Sequence, residues 1–235
     1  MKYLKVRTIR YGFLLIGAMF AGMLGSVVPA HAEAEFMTSW QTKTFVPAWY
    51  EGKAFPTYQS FLAIGFELVE NGKVADLSKT IVRWYVDGKL LKNEVNGLGI
   101  RQLTVYNKKY GGDVLSIKII LPDYKGQTVT KLFDIPVKKQ EVVIDIPYAQ
   151  KKVARGDNLF YAWPFFFNAA SAKDLRMQWA VDGSALQAAT AAEPRLLFSA
   201  GNEPRDGAKS TIEATVTNPG KAIERATGKV LVDLP

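Results

Sequence analysis

One short pattern occurs twice in the chain and limits its fold more than any other feature. It reads Arg83-Trp84-Tyr85-Val86-Asp87-Gly88 and then Gln178-Trp179-Ala180-Val181-Asp182-Gly183, with the two tryptophans 95 positions apart. Each copy alternates apolar and polar residues and ends in Asp-Gly. That marks a strand entering a tight turn, because Gly takes a positive φ without a Cβ clash. A large aromatic three residues before such a turn suits the inner face of two packed sheets. The same offset carries Gly112, Ile117 and Leu121 onto Gly207, Ile212 and Val216. A fixed period of this kind signals repeated structural units.

Around these landmarks the chain reads as short strands with turn signals between them and no helical period. In the first unit these are Ser60–Val69, closed by Asn71-Gly72, then Thr80–Val86, Ile100–Tyr106, Asp113–Leu121 and Val129–Ile135. The odd positions Leu115, Ile117, Ile119 and Leu121 form a wholly apolar face. The second unit retraces the path through Glu141–Ile146, Asp157–Phe167, Asp174–Val181, Leu196–Phe198 and Ser210–Val216, and Asn218-Pro219-Gly220 is expected to repeat the turn at Lys125-Gly126. Phe45–Tyr58, broken by Pro47, Gly52 and Pro56, reads as an irregular first edge strand. Ala-rich Ser184–Glu193 reads as a loop with the capacity for a helical turn. The predicted fold is all-β: two tandem Ig-like (Greek-key) β-sandwiches after an N-terminal signal peptide. The expected division is 1–32 signal peptide, 33–44 mobile lead-in, 45–137 first sandwich domain and 138–235 second. The short junction Pro136–Glu141 implies a fixed relative orientation.

The signal is read from a basic start (Lys2, Lys5, Arg7, Arg10), an uncharged stretch from Tyr11 to Val28, and an Ala-x-Ala site at Ala30-His31-Ala32. An uncleaved membrane anchor is the rival reading, since about 18 apolar residues just span a bilayer. On either reading the protein is exported, to a periplasmic, cell-surface or extracellular location, and membrane contact is confined to this segment if it is kept. The formal charge of +8 includes four n-region cations, so the rest of the chain carries 26 Lys and Arg against 22 Asp and Glu. With no basic run, no nucleic-acid partner is expected. The chain has no Cys, and its one His, His31, lies inside the signal. Triads built on Ser-His-Asp or Cys-His and metal sites built on imidazole or thiolate are therefore absent from the mature chain. No catalytic residue, metal ligand or cofactor is expected, and the protein is read as not an enzyme. Acids in turns, such as Asp87, Asp123, Asp182 and Asp206, are expected to hydrogen-bond their own backbone.

The Trp-x-Val-Asp-Gly turn, followed by Gly and a strand such as Val114-Leu115-Ser116-Ile117-Lys118-Ile119, resembles the PKD-like and Ig-like tandem repeats of exported bacterial cell-envelope proteins. The resemblance spans nearly the whole mature chain. It implies an adhesion, scaffold or envelope-interaction role, with an envelope protein or a cell-surface polysaccharide as partner.

Trp84 and Trp179 read as core. The run Trp163-Pro164-Phe165-Phe166-Phe167 puts apolar groups on both faces of a strand, so one face needs a cover: the first unit, the Ala-rich loop or an outside partner. Trp49, Tyr50, Phe55 and Tyr58, set among Pro and Gly, are the candidate contact residues. They offer an aromatic edge for a protein partner or, alternatively, for a carbohydrate. Lys138, Lys139, Lys151, Lys152 and Arg155 flank the junction and read as solvated.

Overall fold

The computed structural model of the chain describes residues 34–146, 148–201 and 207–235. The signal segment, Pro147 and Asp206 lie outside the described residues. The first sandwich is built from β1 (Glu35–Thr42), β2 (Phe61–Glu70), β3 (Lys73–Val74), β4 (Arg83–Val86), β5 (Lys89–Lys92), β6 (Gln102–Tyr106), β7 (Val114–Tyr124) and β8 (Gln127–Pro136). The second comprises β9 (Glu141–Asp145), β10 (Gly156–Phe165), β11 (Arg176–Val181), β12 (Ser184–Thr190), β13 (Arg195–Ala200), β14 (Lys209–Thr217) and β15 (Arg225–Asp233). In the first, β2 is flanked by β1 on one side and by β6 and the short β3 on the other, facing a β5-β4-β7-β8 sheet. In the second, a β13-β10-β9 sheet faces a β12-β11-β14-β15 sheet. Both are antiparallel Greek-key sandwiches of the Ig-like kind.

The duplication persists at the level of individual residues. Shifted by 95 positions, β2 coincides with β10 end to end. Trp84 pairs with Ile119 and Val86 with Ile117, while Trp179 pairs with Ala214 and Val181 with Ile212, the same cross-strand positions in each unit. Both Asp-Gly pairs are two-residue hairpin loops with positive φ at both residues: 48° and 76° at Asp87-Gly88, 49° and 78° at Asp182-Gly183. That is the type I′ turn, whose twist matches the flanking strands.

The alternation of each strand sends one set of side chains inward. Leu62, Ile64, Phe66 and Leu68 of β2 meet Trp84, Ile117, Ile119 and Leu121, all buried, with the Phe66 and Trp84 rings 5.6 Å apart. In the second core Phe160, Phe167, Met177 and Trp179 occupy the corresponding space with Ile212, Val216 and Val232.

Four expectations about strands and turns are corrected. The stretch 33–44, expected as a mobile lead-in, contains the strand β1. Glu35–Thr42 pairs with β2 over its whole length, because Phe36 turns inward and packs on Phe66 at 5.3 Å. Phe45–Tyr58 is not an edge strand, since its prolines and turns prevent a ladder and only Phe45 forms a bridge, to Phe167 of the other sandwich. Ser184–Glu193 is no loop or helix: Ser184–Thr190 is β12, held by pairing with β11, which overrides the weak strand propensity of its alanines. Asn218-Pro219-Gly220 does not repeat the Lys125-Gly126 hairpin but opens a longer loop, 218–224, closed where the Asn218 N–H donates to the Glu224 carbonyl at 3.0 Å.

Asp87 and Asp182 reach across strands rather than to their own backbone. Asp87 Oδ1 accepts from the Ser116 N–H at 3.1 Å. Asp182 Oδ1 accepts from the Thr211 N–H at 2.7 Å and Oδ2 from the Ser210 hydroxyl at 2.9 Å. Asp182→Ala removes both bonds and leaves a Cβ-bearing residue at positive φ without a polar side chain to support it, and should lower stability by about 2 kcal/mol. Urea unfolding checks this, and Asp182→Gly, which keeps the φ, should lose less.

Candidate functional site

Three of the four sequence-predicted contact residues converge on the second sandwich. Phe166 closes β10 at φ 63°, and this left-handed residue breaks the strand's alternation. Phe166 and Phe167 are both buried beyond the break, and Phe165, on the outer face of β10 with Tyr161 and Trp163, is buried as well. Phe167 joins the second core, while Phe165 and Phe166 receive rings from the first unit. Tyr50 meets Phe165 edge-on at 5.2 Å, and Phe55 meets Phe166 at 5.7 Å. The first unit is thus the cover that the aromatic run required. Tyr58 is not part of this group. It stacks on Tyr110 at 4.4 Å, and the neighbouring Tyr58 hydroxyl raises the Tyr110 phenol above its ordinary pKa.

Trp49 differs from the other three. The residue is 56 % exposed, and its ring stands edge-on to Trp163 at 5.5 Å. Trp163 in turn lies parallel to Tyr161 at 5.9 Å, because residues two apart in β10 project from the same face of the strand. Val143 is the cross-strand neighbour of Trp163, and exposed Leu197 continues the outer face beyond Leu159. Trp49, Trp163 and Tyr161 therefore form an aromatic shelf with contributions from both sandwiches. Sequence reasoning missed Tyr161 and the outward role of Trp163; their signal was the i, i+2 aromatic spacing in a strand.

Behind the shelf, Lys53 lies 3.5 Å from the Trp40 ring centroid, and loss of water there holds its ammonium below its ordinary pKa. Lys138 lies 5.5 Å over Phe55, while Lys151, Lys152 and Arg155 are exposed.

The base of the shelf is fixed by polar bonds between the sandwiches. The Phe45 N–H donates to the Phe167 carbonyl and the Phe166 N–H to the Phe45 carbonyl, each at 2.7 Å. Asn168 Nδ2 donates to the Tyr58 carbonyl at 3.0 Å and to Thr57 Oγ1 at 3.2 Å, and Lys221 Nζ donates to the Gln59 carbonyl at 3.0 Å. Beneath them the Glu224 carboxylate, 1 % exposed, accepts from the Asn168 N–H at 2.9 Å and from Asn218 Nδ2 at 2.8 Å, with Asn168 Nδ2 as a third donor.

Among the described residues, no group of three or more His, Cys, Asp or Glu side chains is placed to hold a metal ion. Among them too, no helix is long and apolar enough to cross a membrane.

No protein-family model matches the chain, and no curated protein matches its sequence. Solved structures with tandem β-sandwich modules do match. The fibronectin(III)-like modules of CbhA from Clostridium thermocellum are 14 % identical, with 84 % of this chain and 94 % of that one covered and a TM-score of 0.32. Three N-terminal domains of the bacteriophage RB49 Highly Immunogenic Outer Capsid protein are 11 % identical over 84 % of this chain, at a TM-score of 0.41, and the match spans 59 % of that chain. A two-domain fibronectin type-III segment of chicken tenascin is 9 % identical, with 83 % of this chain and 99 % of that one covered and a TM-score of 0.28.

Proposed function

We propose that the chain is a non-enzymatic, exported interaction module of the cell envelope, in which two joined sandwiches present the Trp49–Trp163–Tyr161 shelf to an envelope protein. The exposed Trp49 ring, held edge-on to Trp163 by a junction of paired backbone and amide groups, is the observation that carries this reading. Aromatic rings that stay partly in water while their bases are locked supply contact area at little entropic cost, which is why Trp and Tyr dominate interface hot spots. The 1–32 signal, the division near residue 137, the kinship with PKD-like envelope repeats and the adhesion or scaffold role belong to the same proposal. The absence of Cys and of any His outside the signal supports the non-enzymatic part. In the alternative reading, carbohydrate binding through Trp49, Tyr50, Phe55 and Tyr58, Trp49 alone of the four is more than half exposed.

Co-sedimentation of the purified chain with isolated cell envelopes tests the proposal. The wild type should pellet saturably, and a Trp49→Ala/Tyr161→Ala double variant should need at least tenfold more envelope, the loss of about 1.4 kcal/mol or more expected of a hot spot. A wild type that stays in the supernatant, or a double variant that pellets unchanged, would sink it.

A further inference from the structure

The outer face of the β1-β2-β6 sheet carries a trough that the aromatic shelf does not explain. Its floor is Ala63 and Gly65 of the central strand β2, outward-facing positions where a sheet ordinarily carries β-branched or aromatic residues. Glycine inside a strand marks a bulge, a bend, or a place where something approaches the backbone closely. A bulge is excluded here. The register runs without a shift from Glu35↔Val69 to Thr42↔Leu62 on one side and from Phe61↔Tyr106 to Gly65↔Gln102 on the other. The protein itself does not fill the space either. A Cβ on Gly65 would meet nothing nearer than Gln102 Cγ at 3.5 Å, ordinary contact, so neither packing nor φ calls for glycine. The floor therefore leaves open space over the backbone, into which a ligand can approach closely.

The walls identify the ligand's chemistry. Ser39 and Gln41 of β1 stand opposite Gln102 and Thr104 of β6, in register across Gly65 and Ala63. None of the four side chains makes a hydrogen bond among the described residues, so two hydroxyls and two amides are free to donate and accept. One end is bounded by the Arg101–Glu67 ion pair at 2.6 Å, and the other by the exposed Phe61 and Tyr106 rings, 5.0 Å apart. From Glu67 to Phe61 the trough runs about 20 Å, six residues of strand rise. Its central part encloses about 310 Å³ and continues past Ala63 toward Phe61 and Lys43.

We infer that this trough binds a chain of an uncharged polysaccharide. Amides and hydroxyls pair with vicinal sugar hydroxyls, and the ring faces of Phe61 and Tyr106, negative at their centres, receive the polarised C–H face of a pyranose. The charge match favours a neutral chain: between the ion pair and Lys43 the lining carries no charge, and the one acid and one base at the far end satisfy each other. A peptide partner would take another position, because the trough lies on the face of the sheet, where the β2 backbone is already paired on both sides. Adding a strand needs a free edge. The site is separate from the aromatic shelf, so failure of either reading leaves the other standing.

Affinity electrophoresis of the full chain through gels containing soluble β-glucan, xylan, galactomannan or dextran tests the inference. The wild type should be retarded by at least one of the four. Gly65→Leu, which plugs the floor while raising strand propensity, should weaken retardation at least tenfold without lowering the melting temperature. Gln41→Ala/Gln102→Ala should weaken it without filling the trough, and Trp49→Ala should leave it unchanged. The inference is overturned if none of the four polymers retards the wild type, if only an anionic polysaccharide does, or if both trough variants migrate like the wild type.

Discussion

Trp84→Ala is expected to lower the stability of the protein by about 3–5 kcal/mol, the usual result of emptying a buried aromatic site. The indole is fully buried between the sheets, faces Phe66 at 5.6 Å, and its Nε1–H donates to the Ile100 carbonyl at 2.8 Å. Its repeat partner Trp179 is equally buried, but its Nε1–H meets no acceptor among the described residues. The pair therefore separates packing from hydrogen bonding. Trp84→Phe leaves the Ile100 carbonyl without its donor, whereas Trp179→Phe removes a buried unsatisfied N–H, worth about 1–3 kcal/mol to the folded state. Both Phe variants lose similar ring volume, so Trp84→Phe should be the more damaging by about 1–3 kcal/mol. Urea unfolding followed by circular dichroism would decide it, and equal losses would show that the Ile100 bond contributes nothing.

The parts of the fold legible in sequence are those whose physics is local. The inner strands alternate with a strict period of two, and Asp-Gly and Asn-Gly dictate their own φ, so β2, β4, β7 and their repeats could be placed from residues alone. β1 and β12 were not legible, because an edge strand is fixed by the neighbour it hydrogen-bonds. Glu35–Thr42 shows only Phe36 and Trp40 as large inward residues, and Ser184–Thr190 has alanine at three of its seven positions. The candidate site was half legible. Proline and glycine among Trp49, Tyr50 and Phe55 announced something irregular and aromatic, but that these rings land on Phe165 and Phe166 depends on contacts more than a hundred residues away in sequence. The trough left a small signal in Ala63 and Gly65, two small residues in an otherwise bulky strand. It could be recognised only once the register set Gln41 and Gln102 on either side.

Where the two units depart from repeat symmetry, the departure makes the junction. The first unit joins its last two strands by the two-residue Lys125-Gly126 turn, while the second uses the 218–224 loop, whose Glu224 and Lys221 serve the contact with residues 57–59. Glu224→Ala is therefore expected to cost about 3–5 kcal/mol, comparable to breaking a buried ion pair, since buried Asn218 and half-buried Asn168 lose the carboxylate that accepts their donors. Glu224→Gln should recover only part of this. One carboxylate oxygen accepts two of the donors, and the amide NH2 of Gln would turn a donor toward one of the three. The two variants differ from a core mutation in kind. Asn168 also ties Thr57 and Tyr58 to this loop, so losing Glu224 frees the sandwiches from each other while leaving both cores intact. Calorimetry should show one cooperative transition in the wild type resolving into two in Glu224→Ala, with protease cleavage appearing near Pro136–Glu141. A single transition displaced to lower temperature would instead mean that the Phe45 bridge and the aromatic contacts hold the sandwiches together without the carboxylate.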